Sequence, residues 1–458
     1  VPSLHTPLQQ GRKVAGSSKS ARIRSRSLRS VGTRTIPNAG RANAGRPGRD
    51  RVSEQRKKGP LTVSESYDAN GVITVEGIEE LPRTYQVISV DDHLCEPPDM
   101  FEGRLPSKFA DRAPKVVEQD NGDQVWVYED SVFPNIAVNA VVGLPKDKWG
   151  YEPVRFDQIR KGSWDIHARI ADMDLAGIAA SLNFPSQVAG FGGVTFADSK
   201  DKELGLAVTR AWNSWHIEEW AGAYPDRIIP LQLPWLPDPV LAAAEVRANA
   251  ALGFRAVTFP EYPVNVGYPS FHTKEWDPFF AACEETDTVV CIHTGSGRWR
   301  PMPNNDGPRT IAVSLFPVNA MVSCADLLWS EIPVRFPNLK IALAEGGIGW
   351  VAMYLDRLEY METRAGSFGN EWSADISPAE VVKRNFYFCS LDDPSTIQTR
   401  DRIGLDHIML EVDYPHADST WPDTQKIVHG TLGGLPDAEI EAITHGNAER
   451  LFRFPLSR

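Results

Sequence analysis

Asp91-Asp92-His93 closes an apolar run, Tyr85-Gln-Val-Ile-Ser-Val90, and Glu96 follows three residues later. In an extended strand side chains alternate between faces, so Asp91 and His93 point one way and Asp92 the other. A carboxylate beside an imidazole at a strand end is half of a divalent-metal site. A solvated strand end would show the same triplet, so it gains meaning only from company. Two later apolar runs supply that company. Val289-Val-Cys-Ile-His293-Thr-Gly stops at a histidine, and Asp406-His-Ile-Met-Leu-Glu-Val-Asp413-Tyr-Pro-His416 stops at an aspartate.

These residues can act together only if the elements carrying them converge. From Leu81 onward short apolar runs alternate with helical patterns. Strands are predicted over 86–91, 178–184, 228–233, 254–260, 288–293, 339–345, 384–390 and 406–413. Helices are predicted over 202–223, 237–252, 274–286, 315–329, 347–364 and 437–452. The stretch from Asp238 to Leu252 carries a capping Asp, Pro at the first turn, strong helix formers and then Gly253 as a stop. Eight strands alternating with helices predict an α/β fold, a (β/α)8 TIM barrel. A doubly wound sheet is disfavoured because no Gly-rich nucleotide loop follows the first strand. In a barrel the C-terminal strand ends share one face, which would gather Asp91, His93, His293, Glu345 and Asp413 there. His407 opens the last strand at the opposite face and is read as structural, and Asn447 as a helix cap or loop lock. His167, His216 and His272 are assigned no chemistry.

The longest interruption, residues 94–177, falls after the first strand and is read as a small cap over the site. Its sequence Lys115 to Tyr128 predicts a hairpin turning at Asn121-Gly122. Residues 1–60 carry fifteen Lys/Arg against two acidic residues, so a net charge of −12 hides a strongly acidic remainder. Too polar to bury a core, residues 1–80 are expected to be a disordered basic tail and linker ahead of an 81–458 barrel. The tail reads as a transit peptide, a nucleic-acid arm or sequence upstream of the natural start, the last preferred because the chain opens on Val. The acidic remainder argues against nucleic acid as a main partner. No apolar stretch has the length of a membrane span. Five cysteines, at 95, 283, 291, 324 and 389, lack any Cys-x-x-Cys pair, which is expected of a reduced, cytoplasmic protein. Trp212, Trp215 and Trp220 give one helix more apolar surface than a solvated helix needs, mostly for the core and secondarily for an interface.

Taken in order, Asp91-x-His93, Glu96-Pro97, His293, Phe336-Pro-Asn-Leu-Lys-Ile-Ala-Leu-Ala-Glu345-Gly-Gly, Asp413-Tyr-Pro and Asn447-Ala-Glu-Arg-Leu-Phe452 resemble the amidohydrolase superfamily. The resemblance is to the amidohydrolase-related branch of aminocarboxymuconate-semialdehyde and resorcylate-type decarboxylases, over roughly residues 85–455. It implies a TIM barrel whose first-strand pair, fifth-strand histidine and eighth-strand aspartate hold a divalent metal, here Asp91, His93, His293 and Asp413. It implies a homodimer or a complex with a related subunit. The fourth strand lacks the lysine that bridges two metals in many of the superfamily's hydrolases, which fits the decarboxylase-like branch.

Two departures stand out. Asp91 replaces the usual histidine or glutamate, and Glu345 occupies the place of the decarboxylases' acid/base histidine. Glu345 must therefore have a raised pKa to donate a proton, or must serve as a metal ligand. The expected ligands are Asp91, His93, Glu96, His293, Glu345 and Asp413, with Asp413, Glu345 and His416 as catalytic candidates. Zn is the first expectation, with Mn or Fe, as one ion or two, the alternative for so oxygen-rich a set. Arg298 and Trp299 are expected to clamp an anionic, planar substrate. The expected function is a metal-dependent decarboxylase or hydrolase acting on a small carboxylated molecule. A di-metal redox enzyme and a non-catalytic scaffold subunit are the alternatives.

Overall fold

The computed structural model describes residues 64–67, 73–76, 83–136, 139–145, 149, 154–302, 304, 306–364 and 372–457. The basic segment 1–60 lies outside the described residues. The expected linker 61–80 is not wholly irregular, because Ser64–Tyr67 pairs antiparallel with Ile73–Glu76.

Eight parallel strands form the barrel wall: β1 (Val87–His93), β2 (Ile178–Phe184), β3 (Ile228–Ile229 and, after Pro230, Leu231–Gln232), β4 (Ala256–Phe259), β5 (Val289–His293), β6 (Ile341–Ala344), β7 (Phe386–Ser390) and β8 (Ile408–Leu410). Each pairs with its neighbour in sequence. Pro230 has no N–H to give to the ladder and interrupts β3, but its carbonyl still accepts from Arg255 and Ala256 at 3.0 and 3.2 Å. The ring closes between the segment after β8 and β1: Asp413 N–H donates to Asp91 O at 2.8 Å, and His93 N–H donates to Tyr414 O at 2.6 Å. The expected (β/α)8 barrel is thus present.

The helices follow from local signals. Asp238 caps Pro239–Leu252 by accepting from Val240 and Leu241 N–H, and Gly253 ends that helix at φ 111. A separate apolar cluster fills the barrel interior, with Ile88, Val90, Leu182, Cys291 and Met409 from the strands. Leu451, Phe452 and Phe454 of the C-terminal segment join it. Asn447 is a lock, donating from Nδ2 to Leu405 O and Ile408 O at 2.8 and 2.6 Å and so fixing the entry to β8. His407 is structural too, with Nδ1 2.8 Å from Phe386 O. Trp212, Trp215 and Trp220 are all buried within the chain, so the apolar surface expected partly for an interface is consumed by the core.

Between β1 and β2 the predicted hairpin forms, Lys115–Glu118 pairing with Gln124–Tyr128 around Gly122 at φ 87, and Ser131–Phe133 adds a third strand. Tyr128 Oη lies 2.6 Å from Ser199 Oγ, and Val142 N–H donates to Pro415 O at 3.1 Å. These bonds tie the insertion to the loops after β2 and β8.

Candidate metal centre and active site

The strand ends deliver the predicted residues to one point. Asp91 and His93 share a face of β1, as alternation requires, and His293 ends β5. The Nε2 atoms of His93 and His293 face each other at 2.9 Å. Asp91 Oδ1 lies 3.6 Å from His93 Nε2 and 3.5 Å from His293 Nε2, and Asp413 Oδ1 lies 3.4 Å from His93 Nε2. His416 Nδ1 is 3.0 Å from Asp413 Oδ1, and its ring lies over that of His93, centroids 3.9 Å apart. Asp91–His93–His293 and His93–Asp413–His416 are two groups whose donor atoms lie within 4.8 Å of one another.

All four carboxylate oxygens of Asp91 and Asp413 are buried and accept no hydrogen bond from a described residue. A buried carboxylate without a donor is costly, so this arrangement calls for a cation. The imidazoles are prepared for one. Nδ1 of His293 sits 2.7 Å from Thr294 O, a contact that places the proton on Nδ1 and leaves Nε2 bare. Burial, with His416 and His293 nearby, holds His93 well below the ordinary histidine range, and burial brings His293 down to about 3. Both are neutral donors at physiological pH. The residues present therefore fit a divalent metal.

Glu345 stands at the edge of this cluster, outside both groups, with Oε2 3.7 Å from His293 Nε2. Its side chain keeps 14% exposure and lines the adjoining cavity. Burial, with Asp413 and Glu411 beside it, holds its carboxyl well above the usual range. Glu345 and Asp413 both adopt left-handed backbone, φ 56 and 57, unusual for residues other than glycine. Glu345 N–H donates to Glu411 Oε2 at 3.0 Å, so buried Glu411, itself pushed up to about 8 by burial, holds the β6 end in place. Glu411 was not singled out in the sequence, although alternation along Glu411-Val-Asp413 puts it on the face of Asp413.

Glu261, after β4, was also missed. Its Oε2 accepts from Gly295 and Gly297 N–H at 2.8 and 3.4 Å, while its own N–H donates to Ser296 Oγ, which donates to His293 O. It staples the loop that follows ligand candidate His293. Gly297 must be glycine here, since a Cβ would lie 2.4 Å from the Tyr262 ring.

Glu96 requires a correction. It belongs to neither donor group, because Ser186 N–H and Oγ and Trp212 Nε1 donate to its two oxygens. The chain turns away after His93, and a carboxylate satisfied by three donors is an anchor for the β2 loop. Arg298 is also differently employed. Its guanidinium donates to Asp198 Oδ2 at 2.7 Å at the cavity rim. Trp299 lines the cavity and packs edge-on against Tyr262.

The cavity measures about 580 Å³, in the range of small-molecule sites. His293, Glu345, Asp413, His416 and Asp418 line it, together with Phe191, Phe316 and Trp299. Phe133 and Asn139 of the insertion line it as well.

The amidohydrolase family pattern matches residues 159–454, more than half of the chain, and the protein belongs to that family. Its fold is similar to an amidohydrolase from Mycobacterium avium subsp. paratuberculosis, with 23% identity, a TM-score of 0.63, and coverage of 80% of this chain and 99% of that one. It is similar to 5-carboxyvanillate decarboxylase from Sphingomonas paucimobilis, with 19% identity, a TM-score of 0.57, and coverage of 81% and 100%. A dihydroxybenzoic acid decarboxylase from a Polaromonas species, solved with manganese and 2-nitroresorcinol, gives 18% identity, a TM-score of 0.56, and coverage of 81% and 97%. No curated protein sequence matches the chain. No described helix is long and apolar enough to cross a membrane.

Proposed function

We propose that this protein is a metal-dependent carboxy-lyase of the amidohydrolase family, removing CO2 from a small aromatic carboxylate, with hydrolysis of such a molecule as the neighbouring reaction. The observation that carries the reading is the set of unpartnered Asp91 and Asp413 oxygens buried beside the facing Nε2 atoms of His93 and His293. Asp91, His93, His293 and Asp413 would hold the ion. Zn suits two imidazoles and two carboxylates, and Mn, bound by the Polaromonas relative, suits the oxygen donors. Once bound, such an ion polarises a substrate oxygen or acidifies a water.

The chain's own residues supply the rest. Phe191, Phe316 and Trp299 offer faces for a planar ring. Glu345, at the edge of the donor set and open to the cavity, is placed to give a proton to the ring carbon. As the carbon–carbon bond breaks, its electron pair stays on that carbon, takes the proton, and CO2 departs. His416, with Nδ1 3.0 Å from Asp413 Oδ1, would steady that carboxylate when protonated. Decarboxylation is favoured over hydrolysis by the missing β4 lysine and by the activities of the similar folds.

A di-metal redox role draws support from one feature, the sharing of His93 between two donor groups. Metal counting separates the readings: one ion with CO2 release from carboxylated aromatics supports the lyase, while two Fe or Mn ions without CO2 release overturn it. A homodimer belongs to the same proposal, with exposed Val313, Val322, Met353 and Tyr360 offering apolar surface. A scattering mass at the monomer value would contradict that part.

A further inference from the structure

One layer behind the cavity lining, two buried oxygens lack a hydrogen. Glu261, 1% exposed, gives Oε2 to Gly295 and Gly297 N–H, while its Oε1 has no donor among the described residues. Asn319, 2% exposed on the helix Phe316–Trp329, lies against the same carboxyl. Its Nδ2 donates to Trp299 O at 3.2 Å, and its Oδ1 likewise has no donor among the described residues. Both oxygens are shut off from solvent, and two bare acceptors on adjoining side chains are costly. One hydrogen would satisfy both, and a protonated carboxyl has one to give. Burial favours that form, pushing the Glu261 carboxyl up to about 7.

We propose that Glu261 is a positioning residue for the active site, carrying its proton on Oε1 and giving it to Asn319 Oδ1. In that form the carboxyl does two things at once. Its Oε2 takes the glycine N–H groups of the loop after His293, and its hydroxyl holds the helix that begins at Phe316. Tyr262 adds to the seam, donating from Oη to Asn319 O at 2.7 Å and packing edge-on against Trp299. The end of β4, the loop after β5 and the helix are thereby joined into one wall, whose cavity side presents Trp299 and Phe316 to the ligand. Loss of the proton leaves a buried charge against a bare amide oxygen and loosens that wall. Among the described residues the titratable groups that face Glu261 are Glu345 from β6 and its neighbour Tyr262, whose phenol burial holds far above the ordinary range. The inference rests on the proposed function in taking an aromatic carboxylate as the ligand.

The test is calorimetric binding of salicylate to the full, manganese-loaded chain as pH is raised through about 7, in the parent, E261Q and E261A. If only the protonated form completes the wall, the parent's affinity holds below that point and falls about tenfold for each pH unit above it. The E261Q side chain carries the same acceptor and a donor that no pH removes. It is expected to match the parent at the acid end and to lose this fall, while any titration of Glu345 is common to both chains. E261A, which has neither group, is expected to bind about tenfold more weakly than E261Q throughout. Parallel pH profiles for parent and E261Q, or weaker binding by E261Q at the acid end, would overturn this inference and leave the metal site and the proposed function standing. E261A binding as tightly as E261Q would do the same. Salicylate binding by none of the three at any pH would overturn the proposed function and this inference with it.

Discussion

Asp91 and Asp92 are neighbours in sequence, both fully buried, and their fates are opposite. Asp92 faces away from the cavity side of β1 and is answered by protein: Ser89 Oγ and Tyr414 N–H donate to its Oδ1 at 2.8 and 3.1 Å, and Arg169 NH1 stands 3.8 Å from its Oδ2. Arg169 also donates to Gly162 O and His93 O and lies over the Tyr414 ring. Nearby, Asp172 accepts from Tyr414 Oη and from Arg160, each at 2.6 Å. Asp91, by contrast, has histidine nitrogens and further carboxylates for neighbours and no cation of the chain's own. A buried charge that the chain neutralises holds structure together, and a buried charge left open specifies what the chain must bind.

The comparison can be broken from either side. The largest effect is expected from His93→Ala or His293→Ala, which should remove both bound metal and detectable turnover while circular dichroism and unfolding stay near those of the unaltered protein. Retained metal in either variant would equate the two regions. Glu345→Gln should keep most of the metal, because four other donors remain, and lower turnover by about 10²–10⁴-fold, the range for a lost acid/base group. Metal loss in parallel with turnover would instead make Glu345 a ligand.

On the structural side, Asp92→Ala strands Arg169 in the interior and should cost about 3–5 kcal/mol in denaturant unfolding. Metal per folded chain should be unchanged, and a variant as stable as the parent would refute the structural role. The smallest effect concerns Glu261, whose carboxyl burial pushes up to about 7. A raised pKa means that the folded chain binds this proton more tightly than the unfolded chain. Its stabilising effect is therefore complete at pH below the unfolded carboxyl pKa and fades as pH climbs toward about 7. Glu261→Gln should flatten the fall of stability across that window; an unaltered slope would show that Glu261 does not titrate there.

What the sequence made legible was whatever depends on strand periodicity. Asp91, His93, His293, Glu345 and Asp413 were placed because each ends an apolar run, and a barrel brings such ends together. Glu411 was passed over because one carboxylate within Met-Leu-Glu-Val reads as part of a strand, and only the fold reveals that it supports the end of β6, two strands away. Glu96 misled because nearness to His93 along the chain says nothing once the strand stops and the path turns. The Asp92–Arg169 pair was invisible for a related reason, since Asp92 lies on β1 and Arg169 on the helix Ile166–Ala176, with most of the insertion between them. Helices Ile166–Ala176, Pro378–Asn385 and Thr424–Leu432 were not among those predicted. They are short, eight to eleven residues, so each offers only two or three turns of helical periodicity.

The central claim is that the open carboxylates and imidazoles at the ends of β1, β5 and β8 exist to hold a divalent cation. Elemental analysis of the purified chain, repeated after chelation and reloading with Zn or Mn, addresses it directly. The account predicts about one ion per chain, lost on chelation and regained on reloading, with the melting temperature rising as the site refills. A well-folded chain that takes up no divalent ion under any of these conditions would contradict it.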